Sequence, residues 1–245
     1  MDKRSFTIAL NREIAPGVFR LELEADSPEC VVTGEFVNLE IEGFYLRRPL
    51  SVCDRGAGRI TLVYKVVGQG TKALAAMRPG ESVSVLTGLG RGFDPDACRS
   101  SALLVGGGLG TPPLYWLAKE LKARGRRVTA VLGFNRAEEI ILADELRRVC
   151  DDVVISTLDG SEGVKGFVTD AIAASKPSYD YFYTCGPMVM MKAVCGMLDT
   201  DGEASLEEWM GCGAGFCYCG SIQTKNGPRR VCKDGPVFKK EDIVW

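Results

Sequence analysis

The sequence predicts an α+β multidomain chain: an N-terminal antiparallel Greek-key β-barrel, a central doubly wound α/β domain and a small C-terminal cysteine-rich segment. Three observations carry that prediction. Period-two alternation fills roughly the first ninety residues. A strand–glycine loop–helix pattern follows it. Cysteines 212, 217, 219 and 232 then gather among glycines near the end.

In the first region, residues 6–10, 18–23, 35–41 and 59–67 alternate apolar and polar side chains, and residues 82–86 add a further strand after the turn at 78–81. Short alternating strands at about ten-residue spacing, with turn residues between them, are the pattern of a small antiparallel barrel. Only residues 71–77 read as helix here. At residues 98–100 the texture changes. Ala102-Leu-Leu-Val is a buried-strand run, and Gly106-Gly-Gly-Leu-Gly-Thr-Pro-Pro follows it. An amphipathic helix is expected at 114–124. Strands at 128–134, 153–156 and 181–184 alternate with helices at 138–149, 167–174 and 188–197, the doubly wound order. A linker at 199–203 is expected to lead into the cysteine segment.

Composition narrows the chemistry. The 245 residues carry 30 Lys and Arg against 32 Asp and Glu, a formal charge of −2, without an extended basic cluster. Nucleic-acid binding is therefore disfavoured. No apolar run reaches membrane-spanning length. Ten cysteines without a signal-peptide pattern point to a reducing, cytoplasmic setting, where thiols bind metals rather than pair as disulfides. Histidine is absent, which excludes a Rieske centre, histidine-ligated haem, a histidine-containing zinc site and any histidine-based triad.

Four motifs and one cysteine loop remain to be assigned. Arg48-Pro49-Leu50-Ser51 opens a strand; Arg48 suits a flavin phosphate and Pro49–Ser51 the isoalloxazine edge, although an arginine–proline pair also suits an ordinary barrel rim. Val67-Gly-Gln-Gly70-Thr71 precedes a short helix whose free N–H groups would receive a phosphate, the plainer alternative being a turn with Thr71 as N-cap. The loop Gly106, Gly107, Gly108, Leu109, Gly110, Thr111 departs from G-x-G-x-x-G at its last position. It keeps the context of that fingerprint, with a buried strand before it and a helix N-terminus open to a pyrophosphate after it. Cys185, Gly186 and Pro187 end a later strand, where ligands of open α/β sheets sit. Taken alone, Cys185 is more often a buried apolar residue.

The cysteine loop runs Cys-x4-Cys-x1-Cys-x12-Cys. This is one residue short of the plant-type [2Fe–2S] spacing. A structural zinc on four thiolates uses the same donors, but zinc sites favour paired Cys-x2-Cys knuckles.

Together these motifs resemble the ferredoxin–NADP reductase superfamily. Within it, Arg48-Pro-Leu-Ser, Val67-Gly-Gln-Gly-Thr-Lys, Gly88-Leu-Gly-Arg-Gly-Phe, Asp159-Gly-Ser, Lys165-Gly-Phe-Val-Thr-Asp and Val231-Cys-Lys-Asp-Gly-Pro-Val-Phe resemble the electron-transfer subunits of NAD-dependent dihydroorotate dehydrogenases. The resemblance covers essentially the whole chain. It implies FAD on a barrel at residues 1–97, NAD on an α/β domain at 98–200 and a [2Fe–2S] cluster on the segment 201–245. It also implies contacts to FAD from Arg48 to Ser51, Val63, Tyr64, Lys65, Gly70 and Thr71, with Cys212, Cys217 and Cys232 as cluster ligands. The family carries its third cysteine at the position of Gly220, so Cys219, one place early, is assigned as the remaining ligand. A partner subunit with FMN, two copies of each subunit and a role in pyrimidine biosynthesis are further implications. A reductase of the same build could instead serve ferredoxin, a bifurcating complex or a sulfide-reducing hydrogenase, and a zinc scaffold is the non-enzymatic alternative. Hydride transfer needs no acid–base side chain, so no catalytic residue is expected on this chain.

Overall fold

A computed structural model describes residues 1–25, 33–56 and 58–245. Among the described residues, β1 (Asp2–Ala15), β2 (Val18–Glu24), β3 (Phe36–Leu39), β4 (Arg48–Gly56), β5 (Arg59–Lys65) and β6 (Ser82–Leu89) close into an antiparallel barrel. Its order, β1-β2-β5-β4-β3-β6, contains the crossover from β2 to β5 that makes it a Greek key. Alternation decides which side chains enter: Phe6, Ile8, Leu21, Leu23, Val37, Leu39, Ile60 and Leu62 fill the centre. The helix α1 (Gln69–Ala76) bridges β5 and β6 and closes one end with Leu74.

The second layer is a seven-stranded sheet. In chain order it comprises β7 (Ser101–Gly107), β8 (Arg127–Phe134), β9 (Asp152–Thr157), β10 (Val164–Lys165), β11 (Tyr181–Cys185), β12 (Gly202–Ser205) and, near the end, β15 (Val237–Lys239). The spatial order is β10-β9-β8-β7-β11-β12-β15, parallel except for the antiparallel edge strand β15. The helices α2 (Thr111–Ala123), α3 (Ala143–Val149), α4 (Val168–Ser175) and α5 (Met188–Met197) cover it. A small hairpin, β13 (Ser221–Thr224) and β14 (Gly227–Arg230), leads to the single turn α6 (Val231–Asp234). No helix among the described residues is long and apolar enough to cross a membrane.

Barrel and sheet share one core. Val18, Cys53 and Val63 from the barrel pack with Leu114, Leu117, Ala118 and Leu121 of α2. Lys119 of α2 also donates to both carboxylate oxygens of Asp54 at 2.6 and 2.9 Å. The two layers are thereby held in fixed register, and the mouth between them is fixed too.

Two expectations are corrected. The helix expected at 138–149 is broken: a 3-10 turn (Ala137–Glu139) is followed by extended Ile140, and Leu142 adopts φ +58 before α3 begins. Burial of Ile141 and Leu142 takes precedence over helix propensity, because both side chains enter the core from a stretch that a continuous helix would turn partly outward. The linker expected at 199–203 is instead the entry to β12. Gly202 pairs with Phe182, whose ring occupies the space a side chain at 202 would need.

The connector from barrel to sheet is tied down by a buried carboxylate. Glu203 on β12 is 6 % exposed and accepts the Asp94 N–H at 3.0 Å, while the Tyr183 hydroxyl donates to the Asp94 carbonyl at 2.7 Å. Burial pushes the Glu203 carboxyl up to about 7, against the pull of that N–H group. The folded chain therefore holds a proton that the unfolded chain has lost above its ordinary carboxyl range near 4.5. Stability from this group is complete below that range and falls as pH rises through about 7. Glu203→Gln keeps the acceptor without the charge. Its stability relative to the parent is expected to rise by about 2–3 kcal/mol between pH 5 and pH 8. Denaturant unfolding at the two pH values measures it, and parallel profiles would refute the assignment.

Candidate functional site

The barrel, the sheet and the tail meet at one cleft of about 390 Å³. From the barrel come Phe36, Pro49 and Ser51. Their alignment follows from register: β3 and β4 pair Phe36 with Ser51 and Asn38 with Pro49, so these side chains share one face while Val37 and Leu39 enter the core. From the sheet come Gly107, Gly108 and Gly110, and opposite them Cys185, Gly186 and Pro187. The tail supplies Ser205 through Glu208, together with Met210 and Pro236.

The glycine loop is shaped by two different demands. Gly108 has φ +51 with open space around it, so its requirement is conformational. Gly110 has ordinary helical angles, but a Cβ there would strike the backbone of Cys185 and Gly186. A Cβ at Gly186 would press on Met190 and the Gly107 backbone, and one at Gly107 on the Met190 sulfur and Pro187. The loop after β7 and the end of β11 thus form one close-packed floor. A 3-10 turn (Gly108–Gly110) delivers the N-terminus of α2, where Pro112 and Pro113 are tolerated because first-turn N–H groups have no helical partner. Gly106 lies within β7 and Thr111 is fully buried beneath the loop, so both support the floor rather than line the cleft. Burial pushes the Cys185 thiol up to about 12, so it stays neutral at the cleft wall.

A second cradle lies at α1. The Arg48 guanidinium lies over Gly70, in the space a side chain at 70 would fill, and stands 5.0 Å over the Phe44 ring. Gly68, not Thr71, is the N-cap. Thr71 reaches back instead, its hydroxyl accepting the Val67 and Gly68 N–H groups at 2.9 and 3.2 Å. A guanidinium beside a helix N-terminus is the donor set an anionic group requires. Neighbouring Arg47 is committed elsewhere, to the carbonyls of Asn38 and Ser84 and to Glu40. Of the β5 residues, Lys65 is exposed, Val63 packs in the shared core and Tyr64 lies inside the barrel, donating to Asn11 at 3.0 Å. The Tyr64 side chain does not face the cleft.

The cysteine loop folds round its sulfurs. Backbone N–H groups of Ala214 and Phe216 point at the Cys212 sulfur at 3.5 and 3.3 Å, and that of Cys212 at the Cys217 sulfur at 3.4 Å. Gly213, Gly215 and Tyr218 take left-handed φ values to allow it. The N–H groups of Cys212 and Cys219, with their thiols, hold the Cys217 thiol down at about 6. Cys217 and Cys219 sulfurs both lie beside Gly211, about 3.3 and 3.5 Å from where its Cβ would be. Gly220 faces away: a Cβ there would fall 2.7 Å from the Trp209 carbonyl. Cys232, buried on α6, packs with Phe36 and Leu89. Among the described residues, no three His, Cys, Asp or Glu side chains are already gathered to the distances of a single metal ion. The donor set of four thiols ringed by N–H groups is nevertheless the one an iron–sulfur cluster uses.

Sequence patterns did not single out Phe36, Asn38 or Arg230. Met210, whose apolar side chain beside the cysteines suits a partner contact or packing of the tail on the barrel equally, packs here against Phe36, Leu89 and Cys232. Arg230 donates to the Gly215 carbonyl at 2.9 Å, stands 4.7 Å over the Tyr218 ring and pairs with Asp234, clamping the loop to α6. The arginine pair at 229–230 was visible in sequence, but without any pattern marking it.

Comparison with known proteins follows the same division. Residues 207–244 match the iron–sulfur cluster binding domain of dihydroorotate dehydrogenase B, and residues 104–196 match the oxidoreductase NAD-binding domain. The chain is 40 % identical over 251 residues to the dihydroorotate dehydrogenase B (NAD(+)) electron transfer subunit of Fusobacterium nucleatum, covering 97 % of this chain and 96 % of that one. With the protein of the same description from a Geobacillus species it shares 42 % over 256 residues, covering 100 % and 99 %. A solved NADH-dependent reduced ferredoxin-NADP oxidoreductase superposes with a TM-score of 0.89 at 31 % identity, over 98 % of this chain and 90 % of the other. A ferredoxin NADP+ reductase from Neisseria gonorrhoeae, with bound FAD and NADP, shares the fold at TM-score 0.69 and 18 % identity, over 80 % and 90 %. With full-length identity at this level and both domain models matched, the chain belongs to the family of electron transfer subunits of dihydroorotate dehydrogenase B (NAD(+)).

Proposed function

We propose that this chain relays electrons from an FMN-containing dihydroorotate dehydrogenase partner to NAD+, through a [2Fe–2S] cluster and FAD, in pyrimidine biosynthesis in the cytoplasm. The observation that carries this reading is the convergence of barrel rim, glycine loop and cysteine-bearing tail on one cleft. Bound FAD supplies both single-electron and hydride chemistry, and the cluster single-electron transfer. In this reading residues 1–97 hold FAD, 98–200 hold NAD and 201–245 hold the cluster, the last also completing the sheet through β12 and β15.

Arg48, Gly70 and the N-terminus of α1 bind the flavin pyrophosphate; Pro49 and Ser51 orient the ring edge, and β5 at Val63–Lys65 borders it. The Leu50 side chain, expected beside the ring, points to the other face and packs on the barrel core, so only its backbone is available there. Gly107, Gly108, Gly110 and the start of α2 receive the dinucleotide, with Cys185, Gly186 and Pro187 walling the nicotinamide. Cys212, Cys217, Cys219 and Cys232 hold the iron. No side chain transfers a proton in this half of the reaction; the base acting on dihydroorotate belongs to the partner. Trp209, Phe216 and Tyr218, exposed at 89 %, 77 % and 67 % beside the cysteines, form a face suited to that partner, in an assembly with two copies of each subunit.

Anaerobic titration of the purified complex with dihydroorotate is expected to bleach both the flavin and the cluster absorbance. Failure to bleach overturns the proposal. A colourless protein containing zinc and no acid-labile sulfide would replace it with a structural scaffold.

NAD rather than NADP follows from charge at the end of β8. Arg136 pairs with Glu138 at 3.5 Å, and Asp159 lies close enough to feel its charge. The loops are joined, since the Ala137 N–H donates to Ser161, which in turn donates to Asp159. A 2′-phosphate entering here meets an Arg136 guanidinium already paired with Glu138, with the Asp159 carboxylate nearby. Glu138→Gln is expected to raise kcat/KM for NADPH about fivefold with little change for NADH. Unchanged NADPH kinetics would show that this loop does not face the ribose.

A further inference from the structure

Asn38 is a buried polar residue that neither the barrel nor the cleft accounts for. It is 1 % exposed, and its Oδ1 has no hydrogen-bond partner among the described residues. A buried carboxamide left in that state costs about 1–3 kcal/mol, and an apolar residue of the same size would avoid the cost. Its neighbours Val37 and Leu39 point into the barrel, but Asn38 lies on the opposite face, beside Pro49 of β4. There it meets the tail. A Cβ at Gly213, the residue after Cys212, would collide with the Asn38 Nδ2. Phe36, next along the same face, packs against Ala214 and Cys232. The carboxamide is therefore wedged between the strand that borders the flavin cleft and the loop that carries the thiolates. Whichever way the amide is turned, it presents one donor and one acceptor to that seam.

We propose that Asn38 is a positioning residue for the iron–sulfur loop: its carboxamide hydrogen-bonds the Cys212–Ala214 segment of the cluster-bound chain, with its N–H group on the sulfur side, holding the loop against β3 and raising the reduction potential of the centre. The inference rests on the cluster reading given above. Hydrogen bonds to cluster sulfurs are one of the levers that set such potentials, and groups outside the ligand set orient the ligands themselves. The spare valence on Asn38 is explained by the same role, since a polar side chain is retained where an apolar one would pack more cheaply. Gly213 is then required in part to leave the carboxamide room.

The test uses the full-length chain with Asn38→Leu, which removes the polar group at similar size, and Asn38→Asp, which replaces the N–H donor by a negative charge. A spectroelectrochemical titration reads the cluster potential, iron release to a chelator reads retention, and denaturant unfolding of the iron-free chain reads packing. The expected result is a lower potential and several-fold faster iron release for Asn38→Leu, with a still lower potential for Asn38→Asp. The iron-free Asn38→Leu chain should unfold at the same or a higher denaturant concentration than its parent. Unchanged potential and release in both variants overturn the proposal. It is equally overturned if Asn38→Leu destabilises the iron-free chain as much as the loaded one, because the role is then packing alone. A parent protein without iron and sulfide overturns the cluster reading and this inference together, so the two failures are distinguishable.

Discussion

Gly110→Ala is expected to cost about 3 kcal/mol or more and to slow NADH-driven flavin reduction on the order of 10²-fold. The backbone angles at Gly110 suit any residue, so the effect comes from space alone. The three atoms nearest the added Cβ are the Cys185 carbonyl oxygen and carbon and the Gly186 nitrogen, all inside 3.0 Å and all backbone. No rotamer change relieves such a contact. Either the β7–α2 turn lifts or the end of β11 moves, and both form the floor on which the nicotinamide is proposed to rest. Gly108→Ala is the control. It meets open space and is strained only by its left-handed φ, which costs about 1 kcal/mol. Thermal unfolding and stopped-flow reduction of the two variants separate these effects. Equal behaviour would show that the close approach at Gly110 can be absorbed.

Cys219→Ser is expected to abolish the stable cluster, with iron, acid-labile sulfide and visible cluster absorbance lost while flavin content and far-UV dichroism are retained. A hydroxyl replaces the thiolate poorly at iron, and three remaining ligands leave an open, oxidisable site. The partner experiment moves the thiol to the family's usual position, with Cys219→Ala and Gly220→Cys together. That double variant is expected to stay cluster-free, because a Cβ at 220 lies 2.7 Å from the Trp209 carbonyl and the backbone there is turned into the packing. The Gly220 carbonyl also accepts the Val231 N–H at 2.9 Å, which ties position 220 to the start of α6. A full cluster in Cys219→Ser would refute Cys219 as ligand, and one in the double variant would show that the packing at position 220 can be absorbed.

Local pattern made much of this legible. Alternation from residue 6 to residue 86 marked most of the barrel, because a half-buried strand must present apolar groups every second residue. The helix at 188–197 matched α5 to the residue, its apolar run being bounded by Pro187 and ended by an extended Leu198. Strand β12 was invisible for the opposite reason. Gly202, Glu203, Ala204 and Ser205 are all buried, yet none carries a strand-like side chain. They enter the sheet by pairing with β11 on one side and β15 on the other, where the Phe182 ring leaves no room for a side chain at 202 and the buried Glu203 carboxylate is hydrogen-bonded. The break before α3 was likewise hidden, since an apolar triplet reads as helix until a core on both sides claims it.

By itself, the sequence determined the order of elements, the glycine turns and the presence of four thiols near the end. These depend on backbone permission and on periodicity within a few residues. Tertiary structure alone decided that Arg48 covers Gly70, that Glu203 secures the Asp94 connector and that Asn38 presses on Gly213. Each of these is a contact between segments whose nearness depends on strand register and domain packing, and no local spacing records it.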